Sequence, residues 1–229
     1  LDTIKKPAEY KRVDIYEELE RVKNGGLNYP NGLKIVNVRG TNASGKSTIP
    51  MQMLANDEDA YILTEKDEKG KAKDIATVFP KYNFVALGTY FTKTGGLDRI
   101  RTTADMKRIF SLVHFLPYSI ILEGILASTV FSTYANMFLE YEAKKPKRKA
   151  IIFSILPPFE VIKERVLKRN GGNDNIKWEQ LESKWRTVKK NVAKFDEAGL
   201  VSLEVDNSNI KLEDTLEWFF NTINEEETK

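Results

Sequence analysis

The run Gly40, Thr41, Asn42, Ala43, Ser44, Gly45, Lys46, Ser47 satisfies G-x-x-x-x-G-K-[ST] at every fixed position. The glycines let the chain curl so that successive backbone N–H groups point inward. A helix opening just beyond turns its positive terminus toward the same point, and together these features suit a chain of phosphates. Lys46 then reaches the terminal phosphates, Ser47 is placed to coordinate a magnesium ion bridging the last two, and Thr48 supplies the usual second hydroxyl. Pro50 falls early in that helix, where a missing N–H costs little.

Other residues could complete a phosphoryl-transfer site. Glu123 closes the apolar run "YSIILE", and a carboxylate at the carboxyl end of a parallel strand projects toward the phosphates. It could hold magnesium through water or act as a general base toward a hydroxyl; the residues leave both roles open. In "TKTGGLDRIR" the pair Gly95 and Gly96 permits close approach of backbone to a ligand. Asp98, directly after that pair and beside Arg101, is a candidate to take a proton from a substrate hydroxyl. Thr102 or Thr103 reads as the cap of the next helix. Arg165 and Arg169, four apart in "PPFEVIKERVLKRNGG", share a helix face that runs into a loop. Such guanidinium groups stabilise charge on transferring oxygens, and a lid that closes excludes water. Trp178 and Trp185, seven apart on one face, fit core packing better than base stacking.

Strand-sized apolar runs at 33–38, 60–64, 83–87, 119–124, 150–156 and 200–205 alternate with segments of helical period. The clearest helices are predicted over 47–55, 104–115, 159–168, 178–194 and 212–223, the third stopped by Gly171 and Gly172. Runs apolar throughout suit strands covered on both faces, which favours a mostly parallel sheet between two helical layers. The phosphate motif sits where that fold needs it, between the first strand and its helix. The pattern and the motif together give α/β, a three-layer P-loop NTPase fold, and the candidate phosphoryl-transfer residues point to its nucleoside or nucleotide kinase type. Residues 1–32 read as a helix ("VDIYEELERVK") and a loop ahead of a single domain over 33–229, with a lid near 165–177.

At 229 residues and 41% hydrophobic the chain can bury a full core. The absence of cysteine excludes disulfides and thiolate metal sites, and one histidine excludes multi-histidine sites. No apolar run approaches the ~18 residues of a membrane span, and no signal peptide opens the chain, so a cytoplasmic protein is expected. The net charge is only +3, but segment 163–194 carries ten Lys or Arg against four acids, whereas 196–229 carries ten acids against two bases. "KKPKRK" at 144–149 is the densest basic run and reads first as a solvated loop.

In order, "RGTNASGKST", "LGTY…TGGLDRI", "ILEGILAS", "PPFEVIKERVLKR" and "KFDEAGLVSLEVD" resemble bacteriophage P-loop kinases that phosphorylate 5-hydroxymethyluracil in DNA. The likeness covers 33–206; the T-G-G-x-D-x-I and E-G-[IL]-L runs discriminate more than the phosphate motif does. It implies transfer of the γ-phosphate of ATP, with Mg2+, to the hydroxymethyl group of a thymine-like base in double-stranded DNA. Lys46 and Ser47 match the nucleotide motif, Asp98 the aspartate after the glycines, Glu123 the Walker B-like acid, and Arg165 and Arg169 the lid positions. Thr94, Gly95 and Gly96 look like the substrate loop, with Lys93 and Thr94 replacing small residues. A duplex acceptor implies base flipping and salt-sensitive backbone contacts, for which 144–149 and the 184–194 helix are candidates. A kinase of a free nucleoside or nucleoside monophosphate would use the same residues without a basic groove, and a non-kinase ATPase would need no acceptor. The N-K-x-D base-reading motif of GTPases is absent from its usual place.

Overall fold

In the computed structural model, residues 4–26, 28–91, 95–100 and 102–225 are described. Eight strands form one sheet: β1 (Arg12–Asp14), β2 (Lys34–Arg39), β3 (Tyr61–Lys66), β4 (Ala72–Phe79), β5 (Phe84–Leu87), β6 (Ser119–Glu123), β7 (Lys149–Ile155) and β8 (Val201–Val205). Their spatial order is β1-β3-β4-β5-β6-β2-β7-β8. β4 runs antiparallel to both neighbours, β3 and β5, and every other ladder is parallel. The mostly parallel sheet expected from the apolar runs is present.

The helices are α1 (Ile15–Asn24), α2 (Thr48–Asn56), α3 (Thr103–Val113), α4 (Ile125–Thr129), α5 (Ser132–Ala143), α6 (Phe159–Arg169), α7 (Trp178–Glu197) and α8 (Thr215–Glu225). Alternation along the central strands divides the core between two faces. Ile35, Ile120, Leu122 and Ile152 point to one side, where Met106, Phe110 and Phe138 of α3 and α5 cover them. Val36, Val38, Ile121 and Phe153 point to the other, against Met53 of α2 and Phe219 of α8. Burial on both faces explains why these strands are apolar at consecutive positions. A third cluster, built on Ile162, Val166 and Leu181, joins α6 to α7; Trp178 and Trp185 pack against it. Trp185 also donates to the Pro157 carbonyl at 3.1 Å, so both tryptophans serve packing.

The structure departs from the sequence reading in several places: β4, α4 and α5 are not among the expected elements, and two further departures concern the amino-terminal segment and the basic run. The segment read as a helix and loop ahead of the domain also carries β1, which pairs with β3 as the sheet's edge; Asp14 then caps α1 by accepting the Tyr16 N–H at 2.9 Å. The basic run 144–149 leads into the amino end of β7, whereas the phosphate loop follows the carboxyl end of β2, its parallel neighbour. The run therefore lies across the length of the sheet from the site. Arg148 is buried, donating to the carbonyls of Leu116 and Tyr118 at 2.6 Å and 3.1 Å, and Lys144 pairs with Glu140. Among the described residues, no helix is long and apolar enough to cross a membrane.

Candidate active site

β2 delivers the chain to the phosphate loop at Gly40, and Thr48 opens α2 at its far end. Gly40 donates its N–H to Ser128 Oγ at 3.1 Å, which fixes the loop's first residue to α4. Ala43 adopts a left-handed φ of 61° and packs against the lid cluster. Lys46 is buried and donates to the Thr41 carbonyl at 2.8 Å across the loop. Ser47 donates to Glu123 Oε2 at 3.1 Å, so the motif serine and the strand-end acid meet. Among the described residues, Glu123 Oε1 is buried without a hydrogen-bond partner.

Burial penalises both charges of the Lys46 and Glu123 pair. It pushes the Glu123 carboxyl up, against the attraction of Lys46 and the Ser47 hydrogen bond, and pushes the Lys46 ammonium down, against Glu123 and Asp98.

The glycine loop sits directly on this acid. Gly96 has φ 60°, and a Cβ there would land on the Glu123 carboxylate, so only glycine lets the backbone lie this close. Its N–H donates to the Thr89 carbonyl at 3.3 Å, and Gly95 rests on the buried ring of Tyr90. Asp98 follows on a short 3-10 turn, Gly96–Arg99, and its Oδ1 accepts the Ile125 N–H at 2.9 Å. Asp98 is exposed and close enough for its charge to act on both Lys46 and Glu123. Thr94 and Arg101, read as substrate-loop residues, lie outside the described residues. Thr102 is the cap of α3, accepting the Asp105 N–H at 3.0 Å.

The two arginines expected on a lid divide. Arg169, in the last turn of α6, is exposed and has no hydrogen-bond partner among the described residues. With Asn42, Lys177 and Lys184 it lines a cleft of about 280 Å³ between the phosphate loop and the turn from α6 to α7, and its charge helps lower the Lys46 pKa. Arg165, one turn earlier, points elsewhere: its Nη1 and Nη2 donate to Oδ1 and the backbone oxygen of Asn207, each at 2.9 Å. Asn207 Nδ2 in turn donates to the Ser44 carbonyl at 2.9 Å. Arg165 thus acts on the phosphate loop through Asn207, a residue the sequence reading did not single out. Neither did that reading find Arg39. Fully buried at the end of β2, Arg39 donates to the carbonyls of Ser128 and Val130 at 2.5 Å and 3.2 Å, and its guanidinium stacks on Phe195. Burial pushes its pKa down to about 9.

A family model described as 5-hmdU DNA kinase matches residues 18–205. A 5-hmdU DNA kinase of Bacillus phage SP10 is 45% identical over 225 residues, covering 96% of this chain but 34% of its own length. The chain therefore spans about a third of that relative. A 5-hmdU DNA kinase 1 of Salmonella phage ViI is 32% identical, covering 67% of this chain and 70% of the relative. A 5-hmdU DNA kinase of Pseudomonas phage M6 is also 32% identical, over 68% of this chain and 82% of the relative. Among solved structures, YorR protein from Bacillus subtilis, in complex with phosphorylated GDP, superposes with a TM-score of 0.50 at 14% identity. That likeness covers 86% of this chain and 99% of YorR and bears on the fold alone. With its phosphate loop, strand-end acid and glycine turn inside the matched span, this chain belongs to the 5-hmdU DNA kinase family.

Proposed function

We propose that the chain is a kinase that moves the γ-phosphate of ATP to the hydroxymethyl group of 5-hydroxymethyluracil in double-stranded DNA, in the cytoplasm of the infected cell. The observation that carries this reading is the junction at Glu123. One carboxylate oxygen accepts from Ser47 of the phosphate loop, and the other, buried and unpartnered, faces the glycine turn that presents Asp98. Donor and acceptor elements meet on one side chain.

The Ser47 hydroxyl and the orphaned Glu123 oxygen fit a magnesium ion and would hold it. When bound, it neutralises charge on the phosphates during in-line transfer. Lys46 exchanges the Thr41 carbonyl for the terminal phosphates, whose charge offsets the burial that disfavours its ammonium. Asp98 is held by Ile125 through Oδ1, which leaves Oδ2 to accept the proton of the acceptor hydroxyl. Glu123, engaged by Ser47, takes the metal-holding role. Arg169 neutralises the transferring oxygens from the lid, and no covalent intermediate is required. The acceptor base leaves the stack to enter this site, at a cost of a few kcal/mol.

The test is incubation of the protein with labelled ATP and either thymine duplex, 5-hydroxymethyluracil duplex or the free nucleoside. Label on the modified duplex alone is expected. Label on the nucleoside alone would transfer the reading to a nucleoside kinase, and phosphate release without acceptor to an ATPase. Asp98→Asn should bind both substrates and transfer nothing.

A further inference from the structure

Within the reading just proposed, the duplex needs a basic surface beside the site, and run 144–149 lies at the opposite end of the sheet. The cations of α7 are partly committed: Arg186 pairs with Glu182 at 2.7 Å, Lys189 with Glu204 at 3.3 Å, and Lys194 lies over the Phe131 ring. The hairpin joining β3 to β4 is different. β1 stops at Asp14, opposite Thr64, and β5 stops at Leu87, opposite Ala76. Residues 65–75 consequently extend past both neighbouring strands.

Register fixes the direction of this overhang. β3 runs parallel to β6 through β4 and β5, so the hairpin tip lies at the carboxyl end, where Glu123 is. The Gly88 N–H donates to the Ile75 carbonyl at 2.8 Å, and Gly88 continues β5 past Ala86, which faces Ile121. Ile75 is therefore roughly level with Glu123, and at about 3.3 Å per residue the tip rises on the order of 10 Å above it. At about 4.8 Å per strand, β4 and β3 stand roughly 10–14 Å along the sheet from β6, on the side of the glycine loop.

Most acids of the hairpin are used internally; of the four, Glu68 is exposed at the tip. Asp67 Oδ1 accepts the N–H groups of Lys69 and Lys71, each at 2.9 Å, closing the turn. Glu65 is held by Arg108 and by the Tyr16 hydroxyl, and Asp74 by both arms of Arg12 at 3.0 Å and 3.1 Å. Lys66, Lys69, Lys71 and Lys73 are all exposed, and none forms an ion pair among the described residues. The base of the hairpin is clamped while four ammonium groups are left to solvent beside the acceptor loop.

We propose that the β3–β4 hairpin grips the phosphate backbone of the duplex flanking the target base, with Lys66, Lys69, Lys71 and Lys73 as its contacts. Such contacts are independent of sequence and release counterions, so they are read in salt dependence. The test replaces all four with Gln in the full chain and measures, without nucleotide, binding to a fluorescent 5-hydroxymethyluracil duplex from 50 to 200 mM salt. At about 0.9 per phosphate the slope of log affinity on log salt should become shallower by about 3.6, a difference of roughly 150-fold across that range. In the transfer assay KM for duplex should rise at least tenfold, with kcat at saturating DNA and the thermal midpoint unchanged.

A slope and KM equal to those of the parent would overturn the proposal, leaving lysines that only keep an exposed hairpin edge from pairing with another chain. The two readings fail separately. No transfer to any duplex, with the slope still lost in the variant, removes the kinase reading and keeps the hairpin. Normal transfer with the slope retained removes the hairpin alone.

Discussion

Asn207→Ala should weaken ATP binding without unfolding the protein. The side chain makes two hydrogen bonds, from Nδ2 to the Ser44 carbonyl and from Arg165 Nη1 to Oδ1, each 2.9 Å; alanine removes both and keeps the backbone bond from Arg165 Nη2. A neutral hydrogen bond nets about 0.5–1.5 kcal/mol and one to a charged group about 1.5–3 kcal/mol. Arg165 is only partly buried and retains one partner, so the low end applies and the sum is about 2 kcal/mol. If that loss falls on the shape of the phosphate loop, it corresponds to a roughly 30-fold rise in KM for ATP. The assay is steady-state transfer over an ATP titration at saturating duplex, with thermal unfolding alongside. Asn207→Asp sharpens it: the arginine keeps its acceptors, but an oxygen then faces the Ser44 carbonyl, so KM should rise as much while stability holds. An unchanged KM in both variants, or a fall in kcat alone, would refute the claim that Asn207 shapes the phosphate cradle.

Other expectations are as direct. Lys46→Ala should abolish transfer while the thermal midpoint stays near that of the parent, measured by label incorporation and circular dichroism. Gly96→Ala meets a left-handed φ of 60° and the Glu123 carboxylate at once, and strain of about 1–2 kcal/mol from the backbone alone predicts a loss of at least tenfold in kcat. Burial, followed by the Arg148 charge, pushes His114 from 6.5 down to about 4. The unfolded chain therefore binds the proton more readily between those values, and the His114 contribution to stability should be lost as pH falls from about 6.5 to about 4. Urea midpoints across that range check this, and His114→Phe should flatten that part of the profile.

What the sequence made legible follows from how contiguous each signal is. The phosphate motif lies within one turn and can be read without a fold. The central strands, covered on both faces, announce themselves as apolar runs. β4 hides because Lys73 and Asp74, which extend past β5, are polar, leaving only a short apolar stretch, Ile75 to Phe79, ahead of Pro80. β1 has three residues and no apolar run, and the helix pattern after it absorbs it. α4 has five residues, too few to show a period. Asn207 was invisible for another reason: it meets Ser44 across 163 residues, and an asparagine after a strand ordinarily signals only a turn. Arg165 was found by its spacing from Arg169, but spacing gives the helix face and not the partner.

Helix α4 carries a consequence for how the two halves of the site communicate. Its first N–H is held by Asp98, its last carbonyls by Arg39, and its Ser128 hydroxyl by Gly40. The acceptor turn and the phosphate cradle are thus mounted on one short strut. On the proposed reaction, displacing either end would do work on the other, and the two binding events would be thermodynamically linked. By reciprocity, whatever factor a flipped base imposed on ATP affinity, ATP would impose on the base. A strut of this kind would register an engaged acceptor as a change in the hold on the nucleotide.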